Sequence, residues 1–259
     1  MSADKIAAFA EELYNAERDR KAVPPLSERD PSLDLDDAYR IQLVNINRVV
    51  GMGQVISGKK IGLTSPGIQK QLGVNEPDYG HLFAAMECKD GRIDTAALLQ
   101  PKIEGEIAFA LKADLSGGNV SREDVLAAAD YVAAAFEIVD SRVADWKIKL
   151  VDTVADNASS GRYVLGSARL AAAAVDLPEV TMKLYKNGSL AGEGAGKAVL
   201  GDPAVSVAWL ANRLWTYGVT LKAGEIVLSG AFSAAPAAAK GDTFSAEFSS
   251  FGTVTAEFY

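Results

Sequence analysis

Pro101-Lys102-Ile103-Glu104-Gly105-Glu106-Ile107-Ala108-Phe109-Ala110-Leu111 is the stretch on which the reading of this chain turns. It reads as a strand, and side chains two apart in a strand share a face. Glu104, Glu106, Ala108 and Ala110 therefore face one way, and Ile103, Ile107, Phe109 and Leu111 the other. Like charges on neighbouring same-face positions repel, and beside a core they are costly to desolvate. A cation between them relieves both costs, and a divalent metal is the simplest candidate.

A third carboxylate stands in Phe136-Glu137-Ile138-Val139, a second strand-like apolar run. Taken alone, Glu137 reads as the partner of Arg142 or of a nearby lysine, because buried acids are commonly paired. Taken with Glu104 and Glu106, it favours a metal site. An all-oxygen donor set selects a hard ion, Mg²⁺ or Mn²⁺, over zinc or copper. Two further segments look chemical. Gly58-Lys59-Lys60-Ile61-Gly62 sets Lys60 between glycines, pointing inward, with Lys59 expected in solvent. Glu76-Pro77-Asp78-Tyr79-Gly80 reads as a rigid turn that could hold Asp78 as an acid/base, or as an ordinary Pro-Asp turn.

Around these segments the pattern is α+β. Ile6, Phe9, Ala10 and Leu13 repeat at helical spacing, and a second helix is expected over about 36–50. Beyond Gly51 and Gly53 the texture changes to short strands, glycines and turns. The chain thus divides into a helical N-terminal arm, residues 1–52, and a mixed-β catalytic body, residues 53–259, acting as one functional unit. Ser121-Arg122-Glu123-Asp124 opens a helix as a capping box, and Asp202-Pro203 opens another, with Trp209, Leu210, Leu214 and Trp215 on its inner face. Asn187-Gly188 marks a hairpin after the strand at 180–186. Strands are also expected at 225–231, 243–248 and 253–259.

Composition excludes several classes. The 259 residues carry a formal net charge of −8, against the basic face that nucleic-acid binding requires. The start of the chain has no long apolar run, so neither a signal peptide nor a membrane span is expected. One cysteine, Cys88, permits no intrachain disulfide, which is consistent with a reducing cytoplasm. One histidine, His81, rules out a His-rich zinc site and reads as structural. Gly192-Glu193-Gly194-Ala195-Gly196-Lys197 fails as a phosphate loop, since Ala191 and Ala198 occupy the first-glycine and Ser/Thr positions.

The same residues carry a resemblance. Gly58–Ser65, Leu72-Gly73-Val74 with Glu76–Gly80, Gln100–Leu111 and Phe136–Gly166 resemble the 2-hydroxypenta-2,4-dienoate (2-keto-4-pentenoate) hydratases of aromatic meta-cleavage catabolism, within the fumarylacetoacetate hydrolase-like superfamily. The similarity runs over nearly the whole chain. It implies a mixed β-roll body of the fumarylacetoacetate hydrolase C-terminal type with a helical N-terminal arm. It implies metal ligation by Glu104, Glu106 and Glu137, catalytic roles for Lys60 and Asp78, and a substrate lining from Leu63, Thr64, Ser159 and Ser160. The expected substrate is a small 2-oxo or 2-hydroxydienoate acid, hydrated by a cytoplasmic homo-oligomer that could meet a partner enzyme of its pathway. The related 4-oxalocrotonate decarboxylases share the acids but lack the aspartate at the Asp78 position, so Asp78 favours hydration. The Ala234-Ala235 tail instead resembles the decarboxylases. A non-catalytic partner subunit or scaffold is the remaining alternative, and retention of all five charged residues counts against it.

Overall fold

The computed structural model describes all residues except 66, 68, 71–73 and 75, so the Leu72-Gly73 stretch lies outside the described residues. Two helices dominate the first part of the chain, Ala3–Asp19 and Leu35–Gly51, with a short turn of helix, Leu26–Arg29, between them. In the first helix, Ile6, Phe9, Ala10 and Leu13 form the buried stripe, and the Ser2 hydroxyl caps the N-terminus by accepting from the Lys5 N–H. Asp34 caps the third helix by accepting from the Asp37 N–H at 2.8 Å.

Eleven strands follow: β1 Ile56–Gly62, β2 Asp78–Phe83, β3 Arg92–Ile93, β4 Pro101–Leu111, β5 Ala129–Asp140, β6 Ser160–Leu165, β7 Thr181–Lys186, β8 Ser189–Ala195, β9 Ile226–Leu228, β10 Thr243–Phe248 and β11 Gly252–Phe258. They form a six-stranded sheet, β2-β1-β9-β4-β5-β6, and a five-stranded sheet, β3-β11-β10-β7-β8. Among the described strand pairs, β1–β9 and β3–β11 run parallel and the others antiparallel. Helix Arg122–Ala128 has its Ser121/Asp124 capping box, and Asp202 caps helix Pro203–Trp215 through the Ala204 N–H. The β7–β8 hairpin turns on Asn187 and Gly188, both at positive φ (51° and 78°), as the Asn-Gly pair demands.

The alternation in β4 divides the core. Ile103, Ile107, Phe109 and Leu111 join the large apolar cluster with Leu184, Phe244, Ala246 and Phe258 of the second sheet. Gly105 shares that face, and a Cβ there would collide with Met182 of β7. On the opposite face, Ala108 packs with Leu82, Ala135, Tyr163 and Leu228 in a smaller cluster. The acids stand on this second face.

Four sequence expectations change. Asp78 opens strand β2 instead of sitting in a turn. Lys59 is buried and pairs with Glu225 at 3.0 Å, because the parallel β1–β9 pairing brings the start of β9 alongside β1. Arg142 pairs with Asp156, not Glu137. Trp215 ends its helix 47% exposed, while Leu210 and Leu214 are buried as expected.

Candidate active site

The register of the six-stranded sheet assembles the site. Glu104 on β4 lies directly opposite Glu137 on β5, and Glu106 opposite Ala135. Opposed residues on paired antiparallel strands project to the same face, so the three glutamates converge. One carboxylate oxygen from each lies within 4.8 Å of the others. Glu106 and Glu137 are 0% and 1% exposed, and Glu104 is half-buried at the open side. Glu106 Oε2 accepts from the Gly230 N–H at 2.8 Å, while Glu106 Oε1 and Glu137 Oε2 are buried with no hydrogen-bond donor.

Three buried acids demand positive charge. Lys60 projects from β1 with its Nζ 3.1 Å from Glu137 Oε1 and donating to the Ala158 carbonyl at 3.0 Å. One ammonium does not balance three carboxylates. Burial and then the charge of Glu137 push Glu104 up to about 7. Glu106 rises well above the usual carboxylate range through burial, then Glu137 and Glu104, against the Gly230 N–H that pulls it down. Burial also raises Glu137, although Lys60 opposes it. Burial pulls the Lys60 ammonium down, but Glu137, Asp78, Glu104 and Glu106 together outweigh it and hold the charge on. The unpartnered oxygens and the excess negative charge are what a hard dication satisfies, so the donor set fits Mg²⁺ or Mn²⁺.

Asp78 stands next to this group because β2 pairs antiparallel with β1 in the register Gly62↔Asp78 and Lys60↔Gly80. It is 2% exposed, its Oδ1 lacks a hydrogen-bond partner, and Thr153 Oγ1 donates to Oδ2 at 3.4 Å. Burial raises the Asp78 carboxyl, opposed by Lys60 and by the Thr153 hydroxyl. Gly62 permits this approach, since a Cβ there would collide with Asp78 Oδ1.

One side of the site is a strained turn. Asn157, Ala158 and Ser159 take positive φ in succession, 54°, 50° and 53°. Left-handed backbone costs a non-glycine residue about 1–2 kcal/mol, so the turn must be held. The Asn157 side chain clamps β2 at two points, accepting from the His81 N–H at 2.7 Å and donating to the His81 carbonyl at 2.9 Å. Arg142 holds Asp156 through its guanidinium and donates to the Ser160 carbonyl at 2.8 Å. The turn thereby aims the Ala158 carbonyl at Lys60. Ser160 Oγ is spent inside the turn, donating to the Asn157 carbonyl at 2.7 Å, whereas Ser159 Oγ lies 3.4 Å from Thr153 Oγ1.

Leu63 and Thr64 follow the end of β1. Leu63 has a φ of 57°, and buried Thr64 fills the space where a Cβ on Gly230 would stand. The structure thus brings Glu104, Glu106, Glu137, Lys60 and Asp78 together, with Ser159 joined through Thr153. Thr153, Asn157 and Asp156 carry no charge pattern that singles them out in the sequence, and Arg142 stands out there only as a candidate partner for Glu137. Asp156-Asn157-Ala158-Ser159 announces only a polar loop.

Residues 85–259 match the model of the fumarylacetoacetate (FAA) hydrolase C-terminal family. The chain belongs to this family. Among FAA hydrolase relatives, it is 47% identical over 256 residues to the 2-hydroxyhexa-2,4-dienoate hydratase of Comamonas testosteroni, covering 98% of this chain and 97% of that one. It is 46% identical over 250 residues to the 2-keto-4-pentenoate hydratase of Paraburkholderia xenovorans, covering 96% and 93%. Among FAA hydrolase-type structures, the 4-oxalocrotonate decarboxylase of Pseudomonas putida G7, complexed with magnesium and adipate, superposes with a TM-score of 0.96 at 37% identity, covering 100% and 99%. The mixed β body with N-terminal helices is thus shared across nearly the full length.

Proposed function

We propose that this protein is a metal-dependent hydro-lyase that adds water to 2-hydroxypenta-2,4-dienoate to give 4-hydroxy-2-oxopentanoate. One observation carries the reading: Glu104, Glu106 and Glu137 converge beside Lys60 and Asp78 on one sheet face, in a chain that matches hydratases over nearly its whole length. Glu104, Glu106 and Glu137 would hold Mg²⁺ or Mn²⁺, which supplies Lewis-acid charge to the oxygens of a 2-oxoacid.

The chemistry needs a proton moved from the 2-hydroxyl and one delivered to C5, giving a 2-oxo-3-enoate. The oxygen of water then bonds to C4, and its remaining proton ends on C3. Asp78, buried and next to Lys60, is the residue that moves these protons or orients the water. The Lys60 ammonium, kept charged by the surrounding acids, stabilises the substrate carboxylate or the developing oxyanion. Leu63, Thr64 and Ser159 line the approach. Ser160 acts indirectly, by bracing the turn. The apolar cluster of Leu82, Ala108, Ala135, Tyr163 and Leu228 continues the same sheet face and excludes water behind the acids.

Decarboxylation of 2-oxo-3-hexenedioate is the competing activity, favoured by the likeness to the Pseudomonas decarboxylase. Feeding both substrates to the Mg²⁺-loaded protein separates the two. Hydration of the pentadienoate without matching CO₂ release from the hexenedioate supports the hydratase reading; rapid CO₂ release with slow hydration overturns it.

The reading extends to a homo-oligomer. Leu43 and Val50, seven apart on one helix, and Met52 and Val55 just beyond it are 41–64% exposed, an apolar surface suited to subunit contact. Light scattering on the purified protein tests it, and a monomer at micromolar concentration contradicts it.

A further inference from the structure

As the acid/base of the proposed reaction, Asp78 exchanges protons in each turnover, yet it is almost completely buried. Among the described residues, the hydroxyl that reaches it belongs to Thr153. From there the polar atoms continue. Thr153 Oγ1 lies 3.4 Å from Ser159 Oγ, and Ser159 Oγ donates to Asp156 Oδ2 at 3.3 Å. All three residues are buried, and each link is at the long end of a hydrogen bond that small side-chain rotations shorten.

The chain ends at a second space. Asp156 lines a cavity of about 270 Å³ between the N-terminal helices and the body, with Glu17, Gln42, Asn45, Arg142 and Ser160 also on its wall. Leu13, Ile46, Phe83 and Met86 complete a mixed wall, and the space has room for several waters beside the polar groups. The three glutamates, Lys60 and Asp78 do not line it; it borders the site through the shared turn, whose Asn157 and Ser160 also stand on its wall.

We propose that Thr153, Ser159 and Asp156 relay protons between Asp78 and the water of this cavity, behind the catalytic face. The inference rests on the reading of Asp78 as the acid/base. In one direction, protonated Asp78 gives its proton to Thr153 Oγ1 as the Thr153 hydroxyl proton passes to Ser159 Oγ and the Ser159 proton to Asp156 Oδ2. Asp78 ends as a carboxylate and Asp156 as an acid, with both hydroxyls restored; the reverse transfer recharges Asp78. Burial pushes the Asp156 carboxyl up to about 6, against Arg142, whose guanidinium holds Oδ1 and whose backbone N–H donates to Oδ2 at 2.9 Å.

The arm elements fix the relay in place. Ser27 binds Asp152, next to Thr153, through its N–H at 2.9 Å and its hydroxyl at 2.6 Å. Gln42 Nε2 ties the Tyr79 carbonyl (3.1 Å) to the Val154 carbonyl (2.8 Å), holding the neighbours of Asp78 and Thr153 together.

The test is steady-state kinetics on 2-hydroxypenta-2,4-dienoate for Thr153→Val, Thr153→Ala and Thr153→Ser beside Asp78→Asn, all Mg²⁺-loaded and checked for the parent's Mg²⁺-dependent melting shift. The relay predicts that Val and Ala each lower kcat by ~10-fold or more with KM within about 2-fold, and that Ser, which keeps the hydroxyl, stays within about 3-fold of the parent. Alanine serves if the valine variant fails to fold. Parent-like kcat in the hydroxyl-free variants while Asp78→Asn is inactive overturns the relay and leaves the role of Asp78 standing. A serine variant as impaired as valine also overturns it, because packing would then explain the loss. Parent-like kcat in Asp78→Asn removes both.

Discussion

Asp78 and His81 lie three residues apart on β2, and burial drives both toward their neutral forms by opposite shifts. The Asp78 carboxyl is raised. Burial, helped by Lys59, lowers the imidazole to about 3, although Asn157 opposes this. Asp78→Asn keeps the shape and removes the titrating group, so kcat should fall by ~10²-fold or more with the metal-dependent melting shift retained. His81 predicts an acid-side effect. Its folded pKa lies below the unfolded value near 6.5, so the unfolded chain binds the extra proton, and stability falls as pH drops from 6.5 toward 3. Between pH 7 and pH 5 this one group costs about 2 kcal/mol. Urea titrations at the two pH values should show His81→Gln more stable relative to the parent at pH 5 than at pH 7, by about 2 kcal/mol; an unchanged difference contradicts the assignment. Glu104, Glu106 and Glu137 were legible in the sequence because charge inside an apolar strand violates its pattern. Lys59 was not, because Glu225, which pairs with it, is far along the chain and meets it only through the β1–β9 pairing.

Strands set the site's positions, and one turn sets its fine geometry. Strand β4 could be read directly, since strict alternation assigns each residue to a face, and the two buried clusters follow that division. The Asn157–Ser159 turn could not be read, because three consecutive left-handed residues without a glycine contradict local preference. Their conformation is imposed from outside by Arg142 and by the Asn157 clamp on β2. Gly80 makes the clamp possible: a Cβ there would collide with the Asn157 carbonyl. Gly80→Ala should therefore cost about 1–3 kcal/mol of stability by overpacking, and it should lower kcat by displacing the Ala158 carbonyl from Lys60. Chemical denaturation and kinetics check both. A stable variant with full kcat would show that the turn does not position Lys60.

At the scale of the molecule, the arm is part of the site's support. Its helices share the large apolar cluster with the body, and Gln42 and Ser27 reach the strand and helix that carry Asp78 and Thr153. The change of texture near residue 50 revealed the arm in the sequence, but its long-range hydrogen bonds leave no local pattern. The whole fold spends stability to hold three acids together. With Glu104 raised to about 7, this carboxyl binds more protons in the metal-free fold than in the unfolded chain between about pH 4.5 and 7, so its contribution to stability falls as pH rises through that window. A dication needs the ionised acids, and protons compete with it. Mg²⁺ should therefore raise Tm more at pH 8 than at pH 5.5, and an equal rise at both would contradict the coupling. The convergence of the three glutamates on one ion is tested most directly by Mn²⁺ titration followed by electron paramagnetic resonance. The parent should take up one tightly bound Mn²⁺ per chain, and Glu106→Gln and Glu137→Gln should each lose that binding while remaining folded. No stoichiometric uptake by the parent, or uptake unchanged in both variants, would contradict it.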